Sequence, residues 1–549
     1  MTGSFFVAVG ILCSRLAGFV RLRVFAHYFG LESDAADAFN AAFRIPNFLQ
    51  NLFGEGALSA SFIPVYAALL AKGDRRTADR VAAAVGSLLA AVAAALVLAG
   101  VLATPWLIAA IAPGFTGAKR DLTIQIVRVL FPGAGLLVLS AWCLGVLNSH
   151  HRFLLSYTAP VMWNAAMIAT LVAYGRADLP RLAVLLAWGS VAGSALQFAV
   201  QLPVVIRVAP EVFSPRSTQG TPREEPSFPG STAVSPVSSV VRDHVRIVVS
   251  NFVPVFISRG VVQVSAYVDA LLASLLPTGA VTGLSNAQLL YTLPVSLFGM
   301  SVAAAELPAM SAATARTAAP GAATQTAAAA FAPLRDRLNR GLRQIAFFVV
   351  PSAVAFLALG DVVAAALLQT GRFRHTDAVY VWGILAGSAV GLLASTLGRL
   401  YASTYYALRD TRTPLRYAIV RVALTTVLGY VFAIPLPRAM GIAASWGAAG
   451  LTASAGLAGW VEMLLLRSTL NARIGATGLP ASYVAQLWSA AAAAAVVAWL
   501  VKSVVPALHP AITAVLVLGP YGLVFFGAAF ALRLPEASSA IARIRPRRG

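Results

Sequence analysis

Along the whole chain, apolar runs long enough to cross a bilayer alternate with short breaks of proline, glycine or charge. They fall at about 4–28, 36–70, 81–111, 121–147, 156–175, 182–206, 244–275, 284–312, 343–369, 377–407, 415–436, 440–466, 481–503 and 511–533. A helix needs about 20 predominantly apolar residues to span the hydrocarbon core. The pattern therefore predicts an all-α polytopic membrane protein of about 14 transmembrane helices. Several runs exceed one span, which implies tilt or projection beyond the lipid.

Two stretches interrupt the pattern. Residues 208–240 are rich in Pro, Ser and Thr with almost no apolar periodicity, the composition of a flexible linker. A second soft stretch, 313–334, is rich in Ala, Thr and Pro. Across the first linker the chain is weakly self-similar. RIPNFLQNLFGEGALSASFIPVY (44–66) and TLPVSLFGMSVAAAELPAM (292–310) each carry a Pro, then Phe-Gly, a glutamate and a second Pro. The second helix thus matches the eighth, which implies a six-helix unit repeated in the same orientation, a transporter signature. The expected organisation is an N-terminal six-helix lobe over 1–207, a cytoplasmic linker over 208–243 and a C-terminal six-helix lobe over 244–470. The last two helices and a basic tail occupy 471–549.

Composition agrees with the pattern. Of 549 residues, 59% are hydrophobic and 11% charged, against about a quarter charged in a soluble chain. Mean hydropathy is +0.78. The net charge of +21 would suggest nucleic acid in a soluble protein. Here the basic residues gather in loops on one side, including Arg75, Arg76, Arg80, Arg335, Arg337, Arg340, Arg409, Arg412 and the tail arginines. The other side receives Lys119, Arg120, Arg176, Arg181, Arg372, Arg374, Arg438 and Lys502. The bias is more than twofold and places both termini in the cytoplasm. Nucleic acid is not an expected partner. Cys13 and Cys143 lie in apolar segments without ligand spacing, so no metal or disulfide is expected. The first run has no cleavable signal pattern and reads as a permanent helix.

Ionisable groups at membrane depth are costly, about 2.5–3.5 kcal/mol each on insertion scales, and usually face a cavity or a partner. On the second helix Asp37, Asn40, Arg44, Asn47, Asn51 and Glu55 fall within a stripe about 80° wide and roughly 27 Å long. A stripe of that length cannot face lipid. It is either a buried seam, with Asp37 and Arg44 paired, or the wall of a water-filled cavity; its reach across the bilayer favours the cavity. The first helix adds Ser14, Arg15, Arg21 and Arg23, of which Arg21 and Arg23 have snorkelling as an alternative role. The seventh adds Arg259, Gln263, Tyr267 and Asp269, and the eighth Glu306, the counterpart of Glu55. Guanidinium pairs bidentately with phosphate oxygens, so clustered arginines at depth would take an anionic headgroup. His150 and His151 read as solvated loop residues. There is no P-loop, HExxH or GxSxG, which argues against an ATP-driven pump or a hydrolase, and no cofactor is expected.

Three segments, SRLAGFVR (14–21), DAFNAAFRIPNFLQNLFGEGALSASFIPVY (37–66) and YALRDTRTP (406–414), give the chain a resemblance to the MurJ (MviN) family of lipid II flippases. That family belongs to the multidrug/oligosaccharidyl-lipid/polysaccharide exporter superfamily. The resemblance spans the full length. It implies a transporter rather than an enzyme, in the bacterial inner membrane, working by alternating access in peptidoglycan synthesis, cell-wall biogenesis and cell shape. The cargo would be undecaprenyl-diphosphate-linked disaccharide pentapeptide, moved from the inner to the outer leaflet. Family residues match at Ser14, Arg15, Arg21, Asp37 and Glu55, and Arg44 stands where a basic residue is usual. By this reading Ser14, Arg15, Arg21, Asn40, Arg44 and Arg259 bind cargo, while Asp37, Glu55, Asp269 and Glu306 act as charge partners that exchange during gating. The chain departs from the family at Gln50, where an arginine is common, and at Gln288-Leu289, where an Asp-Arg pair is common. Arg259 is the candidate replacement for that cation. The membrane potential or an ion would supply the drive; moving a negative charge outward gains about 2.3 kcal/mol per 100 mV. Competing readings are an exporter of another polyprenyl-linked oligosaccharide or a drug, a polyprenyl-phosphate glycosyltransferase, and a non-transporting scaffold. A drug exporter would carry more acidic than basic groups in its cavity, and a glycosyltransferase would need a carboxylate on a large outer loop.

Overall fold

The computed structural model describes residues 3–53, 55–212, 236–303, 305–307, 310–311, 331–506 and 508–537. Most of the expected linker, residues 213–235, lies outside them. Among the described residues the chain is helical, with one isolated bridge between Thr370 and Phe373 in place of any strand. In hydrocarbon a helix satisfies its own backbone hydrogen bonds, so this is the fold such a composition dictates.

The chain divides into two compact units, Met1–Phe29 with Ser33–Ala270 and Gly30–Glu32 with Leu271–Gly549. The first holds α1 (Gly3–Phe29), α2 (Asp34–Phe53), α3 (Glu55–Ala71), α4 (Arg75–Ile111), α5 (Gly117–Ser149), α6 (Phe153–Tyr174), α7 (Leu179–Val208) and most of α8 (Pro236–Ser274). Caps fix several starts. Ser33 accepts from the Ala36 N–H, Asp74 from Thr77 and Asp178 from Arg181, satisfying amides that have no intrahelical partner. Within this unit α1 lies along α6, α2 along α5, and α5 along α7. Two apolar clusters hold it. One gathers Phe62, Tyr66, Trp142 and Val146; the other gathers Phe25, Phe29, Phe39, Ile126 and Phe131. α8 enters the first through Phe252, stacked on Phe53 at 5.6 Å, and Phe256, edge-to-face with Phe53 at 5.2 Å. By sequence repeat α8 opens the second lobe; by packing, its residues up to Ala270 group with the first unit.

The second unit begins with α9 (Ala280–Pro294), which continues through one π-helical turn, Val295–Met300, after Pro294 removes an amide donor. Then follow α10 (Ala332–Leu368), α11 (His375–Val390), α12 (Leu392–Ala407), α13 (Arg412–Ala433), short α14 (Pro435–Ala439), α15 (Gly447–Ile474), α16 (Ala481–Val504) and α17 (Pro510–Ala531). α11/α12 and α15 touch backbone to backbone: a Cβ on Gly391 would sit 2.2 Å from the Gly456 Cα. Small residues allow that approach where lipid gives no hydrophobic drive to associate. α16 and α17 lie along α10 and bond to its carbonyls, Tyr483 to Arg343 at 3.2 Å and Tyr521 to Pro351 at 2.6 Å.

Fourteen spans are expected from the pattern. Ten helices among the described residues are long and apolar enough to cross a membrane, and the pair α11 and α12, bent by 43°, makes up to eleven. The three remaining runs, 4–28, 36–70 and 244–275, are helical as α1, α2 with α3, and α8. These are the runs in which the polar residues concentrate. Outward-facing apolar side chains such as Trp106 (74% exposed) and Leu523 (77%) suit lipid better than water.

Candidate functional site

α2 enters with Asp37 fully buried (1% exposed) and carries Asn40, Arg44 and Asn47 half-buried on successive turns. Asp37 is held by Lys119 of α5, Nζ to Oδ2 2.9 Å, and the same ammonium reaches Asp34 at 3.1 Å and lies 4.5 Å above the Phe115 ring. The apolar pattern places Lys119 in a loop. A lone lysine among alanine and glycine gives no periodic signal; only the fold brings it to the buried carboxylate. Asn40 donates to the Ala36 carbonyl at 2.9 Å.

One turn further, Arg44 faces α8. Its carbonyl accepts the Tyr267 hydroxyl at 2.9 Å, Tyr267 meets Phe48 edge-to-face at 5.3 Å, and the Arg44 guanidinium is within electrostatic reach of Asp269. The structure thus brings Arg44 and Asp269 together. Arg259, on the same helix as Asp269, and Glu55, at the start of α3, have side chains outside the described residues, as has Gln50.

Arg21 on α1 has a different setting. Its guanidinium carbon lies 5.3 Å from the Phe43 ring and 5.3 Å from the Trp163 ring, two rings stacked on each other at 5.5 Å and 12°. Nη1 reaches the Met167 sulfur at 3.9 Å, and Nε is buried with no hydrogen-bond partner. Among the described residues no carboxylate lies within ion-pair distance of it. Trp163 is fixed in turn by donating to Ser190 at 3.1 Å. An arginine held by π faces and a thioether keeps its full positive charge and its donors for another ligand. Phe43 and Trp163 carry no signal of this role in the sequence, since aromatic residues in apolar helices look like core. Arg15 is exposed on α1 and Ser14 half-buried beside it.

In the second unit Glu306 is half-buried and pairs with Arg337 at 3.4 Å. Gln288 is half-buried and Leu289 39% exposed on α9. His150, read as solvated, is half-buried by its neighbours and joined to the buried Tyr66 hydroxyl at 2.9 Å.

Two units built of helices long and apolar enough to cross a membrane, with arginines set among them, make a polytopic membrane protein, and solved structures share its fold. One is titled lipid II flippase MurJ in an inward closed conformation (TM-score 0.71, 20% identity, 96% of this chain and 99% of that one). Another is an inward-facing multidrug resistance MATE transporter of the MOP superfamily (TM-score 0.61, 16% identity, 86% and 99%). The family model described as lipid II flippase MurJ matches residues 25–523. Lipid II flippase MurJ of Burkholderia cenocepacia is 30% identical over 467 residues, covering 84% of this chain and 82% of that protein. The probable lipid II flippase MurJ of Rhizobium meliloti is 30% identical over 472 residues, covering 85% and 80%. The chain belongs to the MurJ family.

Proposed function

We propose that this chain moves lipid II, an undecaprenyl-diphosphate-linked disaccharide pentapeptide, from the inner to the outer leaflet of the bacterial cytoplasmic membrane. The observation that carries the mechanism is Arg21 beside the stacked Phe43 and Trp163 rings, a cation on α1 with no carboxylate among the described residues to neutralise it. Family membership supports the cargo. In a low-dielectric wall such a guanidinium attracts a diphosphate far more strongly than in water. Arg44, tethered through Tyr267 and balanced by Asp269, is the second cation of the site. It is poised to exchange its carboxylate for phosphate oxygen as the wall changes shape. Arg15, exposed on α1, extends the basic path, with Ser14 and Asn40 as neutral donors; Arg259 belongs to the same set. Glu55 and Glu306 act as charge partners. Both termini lie in the cytoplasm, supported by the arginine bias of the loops. The inside-negative potential, or an ion, then drives the anionic headgroup outward.

Complementation of a bacterium depleted of its own flippase tests this. The wild-type chain should restore growth; Arg21→Ala and Arg44→Ala, expressed to the same level in the membrane, should not. Rescue by the double variant would sink the cationic site. Failure of well-expressed wild type in several hosts would remove lipid II as the cargo.

A further inference from the structure

Lysine is scarce in this chain: Lys72, Lys119 and Lys502 are the three among 41 basic residues. Two of them hold the most deeply buried paired carboxylates among the described residues. Lys119 pairs with Asp37, whose side chain is 1% exposed, and Lys502 with Asp361, 8% exposed, at 2.5 Å. The arginine pairs, Arg76–Glu211, Arg337–Glu306, Arg421–Glu462 and Arg473–Asp410, involve carboxylates that are 16–32% exposed. The two most buried paired carboxylates are thus both held by lysine, one in each unit, although Lys119 also reaches the exposed Asp34 at 3.1 Å. In a chain with this arginine bias, composition alone would put arginine in both kinds of pair.

The local physics gives lysine a reason. Lys119 sits in the first turn of α5, where a cation opposes the helix dipole, so it does not serve its own helix. Lys502 lies in the last turn of α16, a favourable place, yet its ammonium turns onto Asp361 of α10. Asp361 keeps a second oxygen that is buried with no hydrogen-bond partner, so the closed pair is incompletely satisfied. Two residues before it, α10 breaks at Leu359 (φ −131°, ψ 15°), and the Trp382 indole donates to the Phe356 and Leu357 carbonyls at that break. Asp361 therefore rides on a short piece of helix beyond a bend. An ammonium is a compact, strongly hydrated charge that exchanges a carboxylate for water more readily than the arginine fork. By the loop assignment both pairs lie toward the outer face.

We propose that Lys119 and Lys502 are positioning residues of two releasable clasps. One holds α2 to α5, the other holds α10 to α16, and both open in each transport cycle. The proposal rests on the transport reading above. Opening frees Asp37 to meet a cation of the cargo path and lets α16 part from the bent end of α10.

The three lysines make a direct test on the unaltered protein. Wild-type chain in proteoliposomes with and without lipid II is treated with a membrane-impermeant amine-acylating ester, and labelling of each lysine is read by mass spectrometry. A paired ammonium is shielded by its carboxylate, so Lys119 and Lys502 should label slowly at rest and at least fivefold faster with lipid II. Lys72, exposed in a loop of the opposite face, is reached with the reagent supplied on both sides of the vesicle, and should label at the same rate with and without lipid II. Asp37→Asn should raise Lys119 labelling without lipid II, and Asp361→Asn should do so for Lys502. Labelling of both lysines unchanged by lipid II, from a protein that rescues flippase-depleted cells, overturns the clasps and leaves the cargo reading standing. Absence of rescue by wild type would instead overturn the cargo reading on which they rest.

Discussion

Arginine has two settings in this chain, an ion pair and a ring face. Both occur in each unit, since Arg76 pairs with Glu211 in the first and Arg343 lies 5.9 Å from the Tyr483 ring in the second, but the prominent examples differ. In the second, Arg337, Arg421 and Arg473 each meet a carboxylate, at 3.4, 3.1 and 2.6 Å. In the first, Arg21 meets two aromatic rings and a methionine sulfur, and Arg44 meets α8 through Tyr267 and Asp269. A neutralised arginine ties helices together, whereas one packed against π faces retains charge for something absent from the protein. The sequence repeat makes the units look alike, but among the described residues it is in the first that an arginine meets two rings and a thioether.

The largest test of that difference is an exchange of effects. Arg21→Ala should lower plating of flippase-depleted cells more than a hundredfold, while Arg421→Ala with Glu462→Ala should plate within about threefold of wild type. Equal loss in both would erase the distinction. Next in size is Trp163. Trp163→Ala removes one wall of the Arg21 box and should lower rescue about tenfold, whereas Trp163→Phe retains a ring and loses only the bond to Ser190. For Phe, a loss of about 1 kcal/mol is expected in thermal or denaturant unfolding in detergent, with rescue retained; loss of rescue by Phe would show that the box acts through stability alone. Arg421→Ala by itself should cost at most about 1 kcal/mol, because this half-exposed pair is largely screened. A much greater loss would give that pair a role the comparison denies it.

The smallest effect is a pH dependence at Asp410, in the turn before α13. The Thr413 backbone N–H, then its hydroxyl and Arg473, hold this carboxyl down to about 2. The folded value lies below the unfolded one, so its stabilisation is complete above about pH 4 and is lost as pH falls toward 2. Thermal unfolding in detergent between pH 5 and 3 should fall less steeply for Asp410→Asn than for wild type. Identical slopes would exclude the contribution.

Much of the fold is legible in the sequence because bilayer thickness imposes run length. The three runs that fall short of simple apolarity, α1, α2 with α3, and α8, are where the stripe Asp37–Arg44 and the pair Tyr267–Asp269 stand out against an apolar background. What is not legible is partnership. Lys119 and Asp37 are brought together only by the packing of α2 on α5, and Phe43 and Trp163 differ in no way from core residues until Arg21 lies against them. Lys502 is one more basic residue on the expected outer side until α16 is laid along α10 and brings it to Asp361. Sequence periodicity gives the face of one helix; the partner on the next helix depends on how the two pack.

The central claim, that Arg21 and Arg44 form the cargo's anion site, is most directly tested by lipid II binding to purified protein in detergent. Wild type and Arg421→Ala should bind alike, while Arg21→Ala with Arg44→Ala should bind at least tenfold more weakly, and the difference should shrink at high salt. Wild-type affinity in the folded double variant would contradict the account.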